Sequence, residues 1–155
     1  MDSVIIREFR HTIEDARQLK EIDQLTFRDC PYNEMEIIEI AKDPRNTIWV
    51  AEIDGRIVGF ISLLQVQTLH YKGLWVDLIA VVPSYQNMGI AGKLLTYGKR
   101  FAGILDVDFV SGLVAANNPG SQKAFKKSGF QPLEKDFHLF IFDRRQEHDA
   151  KMERI

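Results

Sequence analysis

The stretch that most constrains this chain is Leu78 to Leu95. An apolar, β-branched run, Leu78-Ile79-Ala80-Val81-Val82, reads as a strand and ends at Pro83, which has no N–H to give a sheet ladder. Gln86-Asn87-Met88-Gly89-Ile90-Ala91-Gly92-Lys93 follows as a turn whose small residues at 89, 91 and 92 let the backbone approach another group closely. A helix then runs from about Ile90 to Leu105. Its apolar face carries Ile90, Leu94, Gly98, Phe101 and Leu105, with Ala91, Leu95 and Ala102 beside it. The start of a helix presents unpaired N–H groups and a partial positive charge, so the group to expect there is an anion such as a phosphate.

The same reading extends along the chain. Val4 to Phe9 alternates as a first strand, and Thr12 with Asp15 opens a helix to about residue 27 or 28 in a variant of the capping box. Pro31 breaks the chain before a short helix over residues 33–41. Thr47 to Ile53 and Ile57 to Val66 are strands joined by the hairpin signal Asp54-Gly55. Leu74 to Val82 and Phe109 to Ala115 are further strands. Asn118 is placed to cap a helix that has Pro119 at its first position and ends at Ser128-Gly129. Phe137 to Phe142 alternates as a last strand, and residues 143–155 form a charged tail that frays. The whole is expected to be one mixed α/β domain over residues 1–155.

Composition excludes several classes. A net charge of −2, with Lys and Arg scattered over 155 residues, gives no basic footprint for nucleic acid. No apolar run is long enough for a membrane span or a signal peptide. Cys30 is the only cysteine, so no internal disulfide forms and a reducing compartment, the cytoplasm, is expected.

Two blocks resemble the GNAT superfamily of acyl-CoA N-acyltransferases. One is the Gln/Arg-x-x-Gly-x-Gly/Ala turn, here Gln86-Asn87-Met88-Gly89-Ile90-Ala91 after the strand Ile79-Ala80-Val81. The other is Asn118 to Phe130, with Asn at the helix start and Ser128-Gly129-Phe130 at its end. The resemblance implies a central, mostly antiparallel sheet of six to seven strands flanked by about four helices. It implies bound acetyl-CoA (coenzyme A): Ile79, Ala80 and Val81 would pair with the pantetheine arm, backbone N–H groups of Asn87 to Gly92 would hold the pyrophosphate with Gln86 and Lys93 nearby, and Asn118, Ser121 and Phe125 would line the opposite side. It also implies Val81 N–H as the oxyanion donor. The activity implied is direct acetyl transfer to a primary amine of a small molecule or peptide within one ternary complex; a homodimer stays open. Family members often carry Arg or Lys where Asn87 and Met88 stand, so binding here rests on amides and the helix start.

The chemistry needs a neutral amine held in line, a stabilised oxyanion and a thiolate that can leave. The family's usual general acid is a Tyr at the position of Phe125, which cannot give a proton; a thiol of pKa about 8.5 still leaves tolerably well unaided. Tyr97, Ser121 and His138 are substitutes in name, each better explained by packing or surface roles. For the base, Asp77 is the best side chain, because Asp is depleted in strands. Simple alternation puts it on the face of Ile79 and Val81, where partial burial would raise its pKa; its competing reading is a hydrogen-bonded structural Asp. His70, near the end of the third strand, is a second candidate. Phe27 and Tyr32, around the break that holds Cys30, are read as a lip of the acceptor pocket. Lys123, Lys126 and Lys127 are read as a solvated helix face, and Trp49 and Trp75 as sheet packing. A non-catalytic acyl-CoA sensor is the alternative that Phe125 favours. A nucleotide-binding domain is the weaker one, because Gly89-Ile90-Ala91-Gly92 lacks the Gly-x-Gly-x-x-Gly spacing.

Overall fold

The computed structural model describes residues 3–27 and 30–144. Its elements run β1 (Ile5–Glu8), α1 (Ile13–Thr26), α2 (Glu34–Lys42), β2 (Asn46–Ile53), β3 (Arg56–Gln67), β4 (Lys72–Val81), a 3₁₀ turn (Pro83–Tyr85), α3 (Ile90–Leu105), β5 (Phe109–Gly112) and α4 (Pro119–Lys127). The strands lie in sequence order, β1-β2-β3-β4-β5. The first three pairings are antiparallel, and β4–β5 is parallel. Asp54 and Gly55, both at positive φ, make the tight β2–β3 turn.

The sheet is buried on both faces. Ile61, Leu63, Leu74 and Val76 pack with Ile90, Leu94 and Leu95 of α3 and with Phe125 of α4. Val50, Ile57, Phe60 and Ala80 pack with Ala16, Leu19 and Ile22 of α1 and with Ile37 and Ile38 of α2. Each of the Val, Leu, Ile and Phe side chains among them contributes about 1.5–3 kcal/mol on full burial. β1 is tied to the helix layer by Arg7, whose guanidinium donates to Asp15 at 2.7 and 3.0 Å and to Glu52 at 2.7 Å.

Several expectations are met closely. α3 has the expected limits, and Asn118 caps α4 through a bond from Ser121 N–H to its Oδ1 (3.1 Å). Asn33 caps α2 with a full capping box. Others need correction. Thr12 caps α1, but Asp15 does not reach back to the cap; its carboxylate accepts from Arg7 and from Arg10 N–H instead. β5 is shorter than expected and ends at Gly112. His70 is in the exposed β3–β4 turn, not on a strand. The described residues form five strands rather than six or seven, because Phe137–Phe142 joins no ladder. Phe137, Phe140 and Phe142 are 72, 89 and 91% exposed there. An alternating pattern makes a strand only where a neighbouring edge takes up its backbone groups. Most of the tail, residues 145–155, and Arg28 at the expected end of α1 lie outside the described residues. No helix of the described residues is long and apolar enough to cross a membrane.

Candidate active site

The site begins where β4 leaves β5. Their parallel pairing covers only Gly73–Val76 of β4, so among the described residues none pairs as a strand with residues 77–81 on that side. Val82 N–H donates to Val58 O of β3 at 2.8 Å, and Val81 lies opposite Gly59. In an antiparallel ladder successive residues point their backbone groups to opposite sides. The N–H groups of Ile79 and Val81 therefore face the open edge. That edge offers main-chain groups to an extended, amide-bearing arm, in the manner of an added strand.

A β-bulge marks the upstream end of this edge. Ser62 faces Leu78 while Leu63 faces Val76, which makes Asp77 the extra residue. The bulge slips the alternation of β4: Val76, Ile79 and Val81 share one core face, whereas Leu78 and Ala80 pack on the other. Asp77 is thus not placed by simple alternation with Ile79 and Val81. It is also exposed rather than partly buried. The physical reason is nonlocal: register is fixed by pairing with β3, which a single strand's pattern does not contain.

At the downstream end the turn leaves backbone donors open. Gly89 is the N-cap of α3 at φ +79, no side chain caps the helix, and its first turn has no acidic residue. The N–H groups of residues 87–92 meet no acceptor among the described residues. Asn87 also lies at positive φ, 63°. A 16-residue helix with an open start supplies both the donors and the dipole that a diphosphate needs. From there a groove of about 790 Å³ runs along Gly92, Lys93 and Thr96 towards Lys127, Ser128 and Gly129. Lys99 and Arg100 line it as well, and among the described residues no carboxylate does. Sequence reasoning missed these two and read Lys127 as solvated; their convergence depends on α3 lying beside the end of α4. Lys99 donates to Ser128 O at 2.6 Å.

Gln86 does something the sequence did not reveal. Its Nε2 donates to Val81 O at 3.0 Å, closing the carbonyl at the end of the open edge. Asn118 spends its Oδ1 on the α4 cap, and its amide Nδ2 meets no acceptor among the described residues. Ser121 stands in the first turn of α4, half-buried.

Phe125 is core. It is 8% exposed, meets Phe130 edge-on at 5.1 Å, lies against Gly112, and belongs to the same core cluster as Val76. Tyr97 meets Trp49 at a tilt (5.4 Å between ring centres) beneath Arg100 and lines the same groove as Lys93 and Thr96, and His138 is exposed on the irregular segment after α4. Phe27 and Cys30, like Leu78 and Val82, pack against the core on the α1–α2 side of the sheet, with Tyr32 exposed close to Cys30 in sequence.

The acetyltransferase (GNAT) family model matches residues 11–130. An N-alpha-acetyltransferase of Sulfurisphaera tokodaii is 30% identical over 146 residues, which cover 87% of this chain and 84% of that protein. Among solved structures, an aminoglycoside acetyltransferase from an uncultured soil metagenomic sample superposes with a TM-score of 0.81 at 14% identity, covering 91% of this chain and 97% of that one. An aminoglycoside N-acetyltransferase solved with CoA gives 0.75 at 19%, covering 94% and 97%. Ribosomal-protein-alanine N-acetyltransferase from Brucella melitensis gives 0.72 at 16%, covering 90% and 100%. The open edge of β4 and the uncapped start of α3 fit the arm and the diphosphate of one coenzyme, and this chain belongs to the GNAT acetyltransferase family, transferring the acetyl group of acetyl-CoA to an amine.

Proposed function

We propose that the acceptor is the N-terminal α-amine of a peptide or protein. The relative named N-alpha-acetyltransferase, matched along 87% of this chain, carries that reading. The chemistry of the site supports it. About a tenth of α-amines are neutral at pH 7, against roughly one lysine amine in a few thousand. A site whose carboxylate, Asp77, is exposed and whose position 125 is Phe suits the amine that needs less help. Phe27, Cys30 and Leu78 give the acceptor an apolar wall, with Tyr32 at the lip.

In this reading acetyl-CoA would supply the thioester carbonyl, held within reach of Val81 N–H. Ile79 and Val81 would hold its arm through the backbone groups they turn to the open edge, with Ala80 between them turned to β3, and Val81 N–H would receive the developing oxyanion. The amides of residues 87–92 and the start of α3 hold the diphosphate, with Met88, Ile90, Ala91 and Lys93 around it. Asn118 donates from α4, and Ser121 and Phe125 close that wall. Asp77 anchors the incoming ammonium or takes its proton. Transfer is direct, within one complex of donor and acceptor. Cys30 packs in an apolar cluster and is no acyl carrier; as the only cysteine it fits a reducing cytoplasm. A second copy completes the exposed run 137–142, so the chain is a homodimer, read as a doubled mass in sedimentation.

The test is a panel of peptides with acetyl-CoA. Peptides with a free N-terminus are acetylated with kcat/KM at least about tenfold above N-terminally blocked peptides bearing lysine, following the neutral fractions. The reverse order removes the α-amine reading. With the best peptide, Asp77→Asn lowers kcat by about tenfold, under the usual 10²–10⁴ for a positioned base because the amine is partly neutral already. An unchanged kcat takes Asp77 out of the chemistry.

A further inference from the structure

We infer that Gln86 and Gly59 are positioning residues that clamp the Val81 peptide from opposite sides and so aim its N–H at the reacting carbonyl. The inference rests on the assignment of Val81 N–H as oxyanion donor.

The clamp follows from peptide planarity. Val81 N–H and Ala80 C=O belong to one rigid plane, so any push on that oxygen re-aims that N–H. Gly59 lies directly opposite, on β3. A Cβ there would stand 2.9 Å from Ala80 O, 3.3 Å from Val81 Cγ2 and 3.5 Å from Val81 Cα. Real Cβ atoms do not approach backbone oxygen so closely, and the obstacle is main chain of a paired strand rather than a flexible side-chain tip. The next plane, Val81 C=O with Val82 N–H, is held at both ends. Gln86 Nε2 donates to the oxygen at 3.0 Å, and Val82 N–H donates to Val58 O at 2.8 Å. Val58 is itself the extra residue of a second bulge, where Ala51 faces Gly59 and Glu52 faces Ile57. Every backbone group on either side of the Val81 Cα is therefore fixed except the N–H offered to the open edge. Gln86 leaves the phosphate seat to the backbone and works on the strand end instead. Because it takes the Val81 carbonyl, an arm lying along β4 meets a donor there and no competing acceptor.

Four variants test this: Gln86→Met, Gln86→Arg, Gly59→Ala, and an amide-to-ester replacement at Val81 that deletes only its N–H. Loss of an oxyanion donor costs about 10²–10³ in kcat, and mis-aiming one costs part of that. Gln86→Met and Gly59→Ala lower kcat for acetyl-CoA hydrolysis and peptide acetylation by about tenfold, while the acetyl-CoA KM stays within about threefold, because uniform binding is untouched. Gln86→Arg, which still donates to the carbonyl, recovers most of kcat. In the coenzyme-free protein, the amide signals of Val81 and Val82 shift in Gln86→Met and return in Gln86→Arg, whereas Leu74, near the start of the same strand, does not move. Gln86→Met is an exposed substitution and keeps the test alive if Gly59→Ala folds poorly. If the ester lowers kcat while Gln86→Met and Gly59→Ala keep it, or Arg fails to rescue, the clamp is overturned and the donor assignment stands. If the ester keeps full kcat, the donor assignment itself falls.

Discussion

Gly89→Glu weakens acetyl-CoA binding by about 100-fold, close to 2.8 kcal/mol, in a calorimetric titration. Two effects add. Gly89 is held at φ +79, where a side chain strains the backbone by roughly 1–2 kcal/mol. A carboxylate at the N-cap of α3 would also accept the N–H groups that otherwise wait for the diphosphate, and its charge would repel the ligand. Gly89→Ala separates them. A Cβ there meets nothing within 4 Å, so only the strain remains and affinity falls by a few-fold at most. The added carboxylate favours the helix start, so Gly89→Glu is no less heat-stable than Gly89→Ala while binding far worse. Equal affinities for the two variants would mean the start of α3 is not the anion seat.

Arg7→Met destabilises the fold by about 3 kcal/mol, the low end for breaking a buried charge pair, because Arg7 keeps a little exposure. The unfolding midpoint falls by roughly 6–12 °C for a chain of this size. Arg7 joins β1 to α1 through Asp15 and to β2 through Glu52. Its loss leaves the Asp15 carboxylate, only 4% exposed, with Arg10 N–H as its remaining named donor. The effect is tied to pH. Burial alone would raise the Asp15 carboxyl, but hydrogen bonds from Arg7 and Arg10 N–H, with the charge of Arg7, outweigh it and hold the group below its ordinary 3.8. A carboxyl depressed in the folded state stabilises the fold above its unfolded value, and that contribution disappears as pH falls through the folded one. The gap between wild type and Arg7→Met is therefore complete at pH 7 and closes as pH drops below 3.8. A gap that persists undiminished at pH 2 would show that Arg7 acts through packing rather than charge.

What the sequence made legible is local. α3, α4 and the Asp54-Gly55 hairpin are written in caps, turn residues and periodicity within a few positions of each other, and they form where expected. The turn from Gln86 to Gly92 is equally local, and so is its reading as an anion seat. What could not be read depends on partners far along the chain. The bulge at Asp77 exists because β3 sets the register of β4, so alternation along one strand does not place Asp77, and the partial burial expected of it gives way to exposure. The bond from Gln86 to Val81 O and the contact of Gly59 with Ala80 O need the strand end and the turn folded against each other. Residues 137–142 alternate as a strand should, yet no edge among the described residues receives them. At position 125 the sequence posed a chemical absence, a missing hydroxyl, and the structure answers with packing: the ring lies between Phe130 and Gly112 in the core.

The central claim is that one coenzyme spans the open edge of β4 and the start of α3. Its most direct measurement is a titration of ¹⁵N-labelled protein with acetyl-CoA, followed by amide signals in wild type and in Gly89→Glu. In wild type the signals of Ile79, Val81 and residues 87–92 shift together along one saturating curve, and in Gly89→Glu the same coenzyme concentrations leave them in place. Saturable shifts confined to other residues, with Ile79, Val81 and the turn unmoved, would contradict the account.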